Sequence, residues 1–260
     1  MESSQILKEA VNIALKAGQL LKKGYGTLFE ISSKEGKHNL VTEYDFLSEK
    51  LIIEMIEESF PSHQILSEEY GEKGEDHEYK WVIDPLDGTV NFAHSIPLFA
   101  VSIGVLKDNV PLCGVVYNPI AEELFYAEKN KGAIFNDTKI SVSNINHLDK
   151  AILATGFPYN LAENPLRCIE KFTNVLKLGI PLRRLGVASL DLCYVAAGRF
   201  DGFWEVGLQP WDCAAGVLII QEAGGKVTTL EMEDFDILLD KPIIGSNALL
   251  HNQMCKVLSE

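Results

Sequence analysis

Residues 81 to 92, WVIDPLDGTVNF, decide how the rest of this 260-residue chain is read. Trp81, Val82 and Ile83 make an apolar run of the buried-strand type, and it delivers Asp84 at its end. Pro85 stiffens the following turn without needing a hydrogen-bond partner, and Asp87 comes three positions after Asp84. Two carboxylates therefore converge at one strand end. Holding them there is costly unless a cation lies between them, and hard cations such as Mg²⁺ take oxygen ligands. Gly88 and Thr89 then open a short helical turn whose backbone N–H groups suit phosphate oxygens. An isolated DPxD is equally well a tight Asp-Gly turn with helix-capping acids. Five defined positions in six are less ordinary: at average residue frequencies such a string arises by chance in about one chain in 10⁴.

Outward from this stretch, residues 4 to 23 place Ile6, Leu7, Ala10, Val11, Ala14, Ala17, Leu20 and Leu21 on a helical stripe ended by Gly24 and Gly26. A second helix is expected from Asp45 to Ser59 with Phe46, Leu47, Ile52, Met55 and Ile56 facing inward. QILS leads to Glu68 and Glu69, and PLFAVSIGVL, PLCGVVYN and ELFYAE read as successive strands. Beyond residue 145 the pattern becomes strand, helix, strand, helix: AILAT, a helix over 164 to 178, PLRRLG, and a helix over 188 to 197. A last helix, AAGVLIIQEAGG, begins after Asp212 and stops at Gly224-Gly225. The expectation is a layered α/β protein, one catalytic domain with an α+β half (1 to 145) and an α/β half (146 to 260). Its site lies between the halves.

Composition narrows the function. An apolar content of 47% is ample for a core. The 37 acidic against 23 basic side chains, net −14, argue against nucleic acid or an anionic membrane as partner. Five scattered cysteines without a CxxC pair suggest neither a disulfide framework nor a structural zinc site and fit a reducing cytoplasm. No run approaches the roughly 18 apolar residues of a membrane span, and MESSQILKEA lacks the pattern of an export signal. An acidic protein that handles an anionic substrate must reverse its field locally, and bound cations are the usual means.

DPLDGTVNF resembles the signature of the inositol monophosphatase family. WDCAAGVLIIQEAGG (211 to 225), SEE (67 to 69) and NLVTEYD (39 to 45) resemble three further family elements, in the family's order and spacing. The resemblance implies the layered αβαβα sandwich shared with fructose-1,6-bisphosphatases, and hydrolysis of inositol monophosphates by metal-activated water. It implies that Glu68, Asp84 and the Leu86 carbonyl hold one Mg²⁺, that Asp84, Asp87 and Asp212 hold a second, and that Glu68 faces a third, more hydrated ion. Thr89, bonded to Asp45, would orient and deprotonate the attacking water, and the Gly88 and Thr89 amides, beside Asp87, would receive the phosphate. Gly186 and Ala188 would line the ring and Glu205 would accept its hydroxyls. A homodimer is expected on the same ground.

Departures from the family pattern sharpen the expectations. Asn39 stands where a carboxylate is usual, which bears on the third ion and on lithium sensitivity. Lys34 and Lys37 are either a solvated loop or a flap over the phosphate. Val187 and Ser189 alter the shape of the pocket. Arg183 and Arg184 are a charged strand end or interface pair, or else contact a second acidic group of the substrate. His63 and His94 are read as structural, and Trp81, Trp204 and Trp211 as core aromatics. The rival readings are a fructose-1,6-bisphosphatase, a histidinol-phosphate phosphatase, a nucleotide 3'-phosphatase (disfavoured by Val90 after DGT) and a non-catalytic regulatory protein on the same fold.

Overall fold

The computed structural model describes residues 2–33, 40–239 and 241–260. Lys34, Lys37 and Asn39, singled out above, lie outside them. Among the described residues the α-helices are α1 (Glu2–Gly24), α2 (Glu43–Ser59), α3 (Thr89–Ala93), α4 (Cys168–Lys177), α5 (Ala188–Ala196), α6 (Pro210–Glu222) and α7 (His251–Ser259). A short antiparallel pair, β1 (Ile31–Ser33) and β2 (Leu40–Thr42), precedes α2. The first large sheet contains β3 (Gln64–Ser67), β4 (Gly71–Lys73), β5 (Tyr79–Asp87), β6 (Ala100–Lys107), β7 (Val110–Asn118), β8 (Glu123–Glu128), β9 (Gly132–Phe135) and β10 (Thr138–Ile140). Its order is β10-β9-β8-β7-β6-β5-β3-β4. The second contains β11 (Leu153–Thr155), β12 (Leu182–Arg183), β13 (Gly202–Glu205), β14 (Lys226–Thr228) and β15 (Ile243–Ser246), in the order β12-β11-β13-β15-β14.

The layers follow from which faces are apolar. Ile6, Ala10, Ile13, Ala14, Ala17 and Leu21 bury the stripe of α1, with Ile52 and Ile56 of α2, against Trp81, Ile83, Ile103 and Val115 on one face of the first sheet. Full burial of each Ile or Leu here stabilises by roughly 1.5–3 kcal/mol. The hydrophobic α5 and α6 fill the space between the two sheets, where Leu190, Leu192, Leu218 and Ile220 meet Val82, Val116 and Phe203. A third cluster, including Val175, Ile244, Met254 and Leu258, seats α4 and α7 on the far face of the second sheet. The result is the αβαβα sandwich expected from the sequence.

Several elements depart from expectation. Phe46 and Leu47 of α2 are 42% and 44% exposed, and the inward stripe instead runs Asp45, Ser48, Glu49, Ile52, Ile53 and Ile56. The inward polar groups are hydrogen-bonded to neighbouring segments, which settles the helix phase against the bare apolar count. Helix α4 starts at Cys168, because Asn164, Leu166 and Arg167 have positive φ angles that interrupt a continuous helix. Helix α6 starts at Pro210, placing Asp212 inside its first turn: Asp212 Oδ2 accepts the Gln209 N–H at 2.7 Å in a capping-box arrangement. Strand β5 continues past Pro85 to Asp87 with a register shift between Asp84 and Asp87, so a bulge stands in place of the turn expected after Asp84. The five cysteines are buried thiols.

Candidate active site

The bulge at the end of β5 aims Asp84 and Asp87 at one cavity of about 390 Å³, within the size range of small-metabolite sites. Asp84 is 2% exposed and its Oδ1 accepts the Leu86 N–H at 2.9 Å. Asp87 is fixed from the opposite layer: the Ser189 N–H and hydroxyl both donate to its Oδ2, at 2.8 and 2.6 Å. Ser189 thus holds an acid rather than shaping the pocket, while Val187 does line it. Gly88 is the N-cap of α3 with φ +91°, and a Cβ there would come within 2.8 Å of Val187. Both the backbone angle and the space require glycine. No side chain caps α3, and Gly88, Thr89 and Val90 line the cavity.

Parallel pairing places Ser67 of β3 beside Ile83 of β5, and the Glu68 N–H donates to Ile83 O at 3.2 Å. Glu68 therefore sits level with Asp84. Asp212 arrives on the first turn of α6, so Glu68, Asp84, Asp87 and Asp212 line one cavity from three elements. Burial, then repulsion by Glu68, Asp87 and Asp212, pushes the Asp84 carboxyl well above its ordinary range. Burial raises Asp87 to about 6 even against the Ser189 donors. Among the described residues no three of these side chains close into a finished metal-ligand cage. The donor set nonetheless fits hard divalent cations, since the acids in the cavity offer only oxygen and no Cys or His is among the described residues that line it.

Thr89 links the acids to α2. Its hydroxyl lies 2.8 Å from Asp45 Oδ1 and 3.1 Å from Leu86 O; having one proton, it donates most directly to the carboxylate. Asp45 Oδ2 in turn accepts from the Thr42 N–H and hydroxyl at 2.8 and 2.6 Å. Burial raises the Asp45 carboxyl to about 6 despite these donors.

Glu205, Gly186 and Ala188 line the other wall. Burial, then repulsion by Asp212 and Asp87, raises the Glu205 carboxyl well above its usual range, and Arg184 opposes this. Of the two arginines only Arg184 reaches the cavity, where it is the one cation among the described lining residues; Arg183 is exposed and donates to Leu182 O. Trp211 also lines the cavity, whereas Trp81 and Trp204 are buried core residues as expected. His63 is a structural residue stacked on Phe60 and Tyr79, accepting from Trp81 Nε1, and His94 caps the end of α3.

The loop over residues 156–159 lines the site, and no motif of the sequence points to it. It follows β11, which runs parallel to β13, and ligands gather beyond the carboxyl ends of parallel strands. That position was the available signal. A Cβ at Gly156 would land on the Glu205 carboxylate. Gly156→Ala is therefore expected to displace Glu205 and to lower kcat/KM toward a polyol phosphate by about 10-fold or more, with less effect on glycerol 2-phosphate. Parallel steady-state assays of the two substrates check this, and equal activity of variant and wild type would show that the carboxylate has no fixed role.

The profile described as the inositol monophosphatase family matches residues 2–260. An inositol-1-monophosphatase of Caulobacter vibrioides is 42% identical over 95% of this chain and 98% of its own. The Nus factor SuhB of Escherichia coli K12 is 45% identical over 86% of this chain and 84% of its own. The structure of an inositol monophosphatase from Anabaena superposes with a TM-score of 0.88 at 39% identity, covering 100% of this chain and 97% of that one. With the family's model matched over residues 2–260 and such relatives along nearly the whole chain, this chain belongs to the inositol monophosphatase family.

Proposed function

We propose that the protein is a Mg²⁺-dependent phosphate monoester hydrolase acting on inositol monophosphates. The convergence of Glu68, Asp84, Asp87 and Asp212 on one cavity is the observation that supports it. In this reading Glu68, Asp84 and the Leu86 carbonyl would hold one ion, and Asp84, Asp87 and Asp212 a second. The chemistry that such ions supply when bound is charge neutralisation on the attacking and leaving oxygens and acidification of water. The chain's own residues do the rest. The Thr89 hydroxyl, its proton directed at Asp45 Oδ1, presents a lone pair that takes a proton from the attacking water as its own passes to Asp45. A carboxyl raised to about 6 is a stronger base near neutrality than an ordinary one. The Gly88 and Thr89 amides would receive the phosphate oxygens.

Glu205 distinguishes the substrates. A carboxylate accepts hydrogen bonds from the neutral hydroxyls of a ring and repels a second phosphate. Glu205→Ala is expected to lower kcat/KM for inositol monophosphate by about 10- to 100-fold, the 1.5 to 3 kcal/mol of a charged hydrogen bond, while glycerol 2-phosphate hydrolysis changes little. A wild-type preference for fructose 1,6-bisphosphate that Arg184→Ala abolishes and Glu205→Ala leaves intact would replace this reading with a bisphosphatase. The kinship to a protein named Nus factor supports a second, regulatory reading. Phosphate release measured with and without Mg²⁺ separates it from catalysis.

A further inference from the structure

The inward stripe of α2 has three polar side chains where an amphipathic helix ordinarily places apolar ones: Asp45, Ser48 and Glu49, exposed by 1%, 0% and 0%. Their spacing puts them on one face. Each grips a different segment of the site. Asp45 takes the Thr89 hydroxyl. Ser48 Oγ donates to Pro85 O at 2.9 Å, within the bulge between Asp84 and Asp87. Glu49 Oε1 accepts the N–H groups of Glu69 and Tyr70 at 3.1 and 3.2 Å, the two amides that follow Glu68.

A helix that only needed to pack would not keep Glu49. Its Oε2 is buried without a hydrogen-bond partner; the nearby Ser67 hydroxyl meets hydrogen-bond geometry with Gly71 O at 3.3 Å instead. Retaining a partly satisfied buried carboxylate is unfavourable, and apolar residues of similar volume often cost less. What the carboxylate does provide is one acceptor that ties two consecutive amides to a rigid helix. That fixes the loop carrying Glu68 relative to β5. Partners that orient a ligand in this way commonly change metal affinity by 10- to 100-fold when removed.

We propose that Ser48 and Glu49 are positioning residues through which α2 sets the metal-holding oxygens, Glu49 acting on Glu68 by way of the 69 and 70 amides and Ser48 acting on Leu86 O by way of the Pro85 carbonyl. The proposal rests on the metal assignment made above and deepens it. Calorimetric titration of Mg²⁺ into the chelator-treated full-length protein tests it without reference to turnover. Glu49→Asp keeps the charge but withdraws the acceptor by one methylene, and is expected to weaken Mg²⁺ binding at least about 10-fold; Glu49→Gln keeps the acceptor and is expected to stay within about 3-fold of wild type. Thermal unfolding of the metal-free variants records any purely structural cost separately. Glu49→Asp binding Mg²⁺ as wild type does, whatever its Tm, overturns the proposal. So does Glu49→Gln binding as weakly as Glu49→Asp, since charge rather than position would then be responsible. Should Glu49→Asp fail to fold, Ser48→Ala takes its place, with at least about 3-fold weakening expected and unchanged affinity refuting the proposal. A wild-type protein that takes up no Mg²⁺ sinks the metal assignment itself, a result distinct from either variant outcome.

Discussion

Asp84→Asn is expected to lower turnover on a phosphate monoester at saturating Mg²⁺ by at least about 10³-fold, the scale on which electrostatic stabilisation of a transition state operates. Asp84 is the acid proposed to touch both ions, so the substitution removes one charge from each. The fold should tolerate it. Asparagine keeps the Oδ1 that accepts from the Leu86 N–H, and Asp84 lies 2% exposed among three other acids. A carboxyl raised in the folded state favours its neutral form, so the ionised group destabilises the metal-free protein at neutral pH. The neutral variant should therefore have a metal-free Tm equal to or above that of wild type, while its activity is lost. Turnover near the wild-type level would remove Asp84 from the ligand set.

Exhaustive chelation is expected to abolish hydrolysis, and stepwise return of Mg²⁺ to restore it. The charged lining among the described residues is Glu68, Asp84, Asp87, Glu205 and Asp212 with Arg184, and the acids without cations would repel a phosphate ester. Ca²⁺ should replace Mg²⁺ poorly or inhibit, because its looser coordination misplaces an in-line water. A linked observation concerns pH. Asp87, which burial holds near 6, is more readily protonated in the folded than in the unfolded chain. Its contribution to the stability of the metal-free protein is present at low pH and lost as pH rises through about 6. Cation binding requires the ionised form, so the increment in Tm on adding Mg²⁺ should grow over the same range. Phosphate release unchanged after chelation, or a Tm indifferent to Mg²⁺ across that range, would reject the assignment.

The sequence by itself was enough for a layered α/β protein, because apolar periodicity survives any detail of packing: α1 buries Ile6, Ala10, Ala14, Ala17 and Leu21 as read. It was enough also to bring Asp84 and Asp87 together at one strand end, and the resemblance of DPLDGT and its companion segments to a family's motifs added Glu68, Thr89, Glu205 and Asp212. All of these line the same cavity. The phase of α2 was not legible. Counting apolar residues turns Phe46 and Leu47 inward, whereas the chain turns Asp45, Ser48 and Glu49 inward, and only the positions of Thr89, Pro85, Glu69 and Tyr70 in space explain why polar groups belong there. The wall over residues 156–159, the grip of Ser189 on Asp87 and the difference between Arg183 and Arg184 escaped for the same reason. Each joins residues far apart in the chain, Ser189 and Asp87 by 102 positions. Periodicity and motifs report the neighbours that a residue has along the chain, but a hydrogen bond or a clash depends on which layer is folded against which, and that is decided only when the two sheets close on α5 and α6.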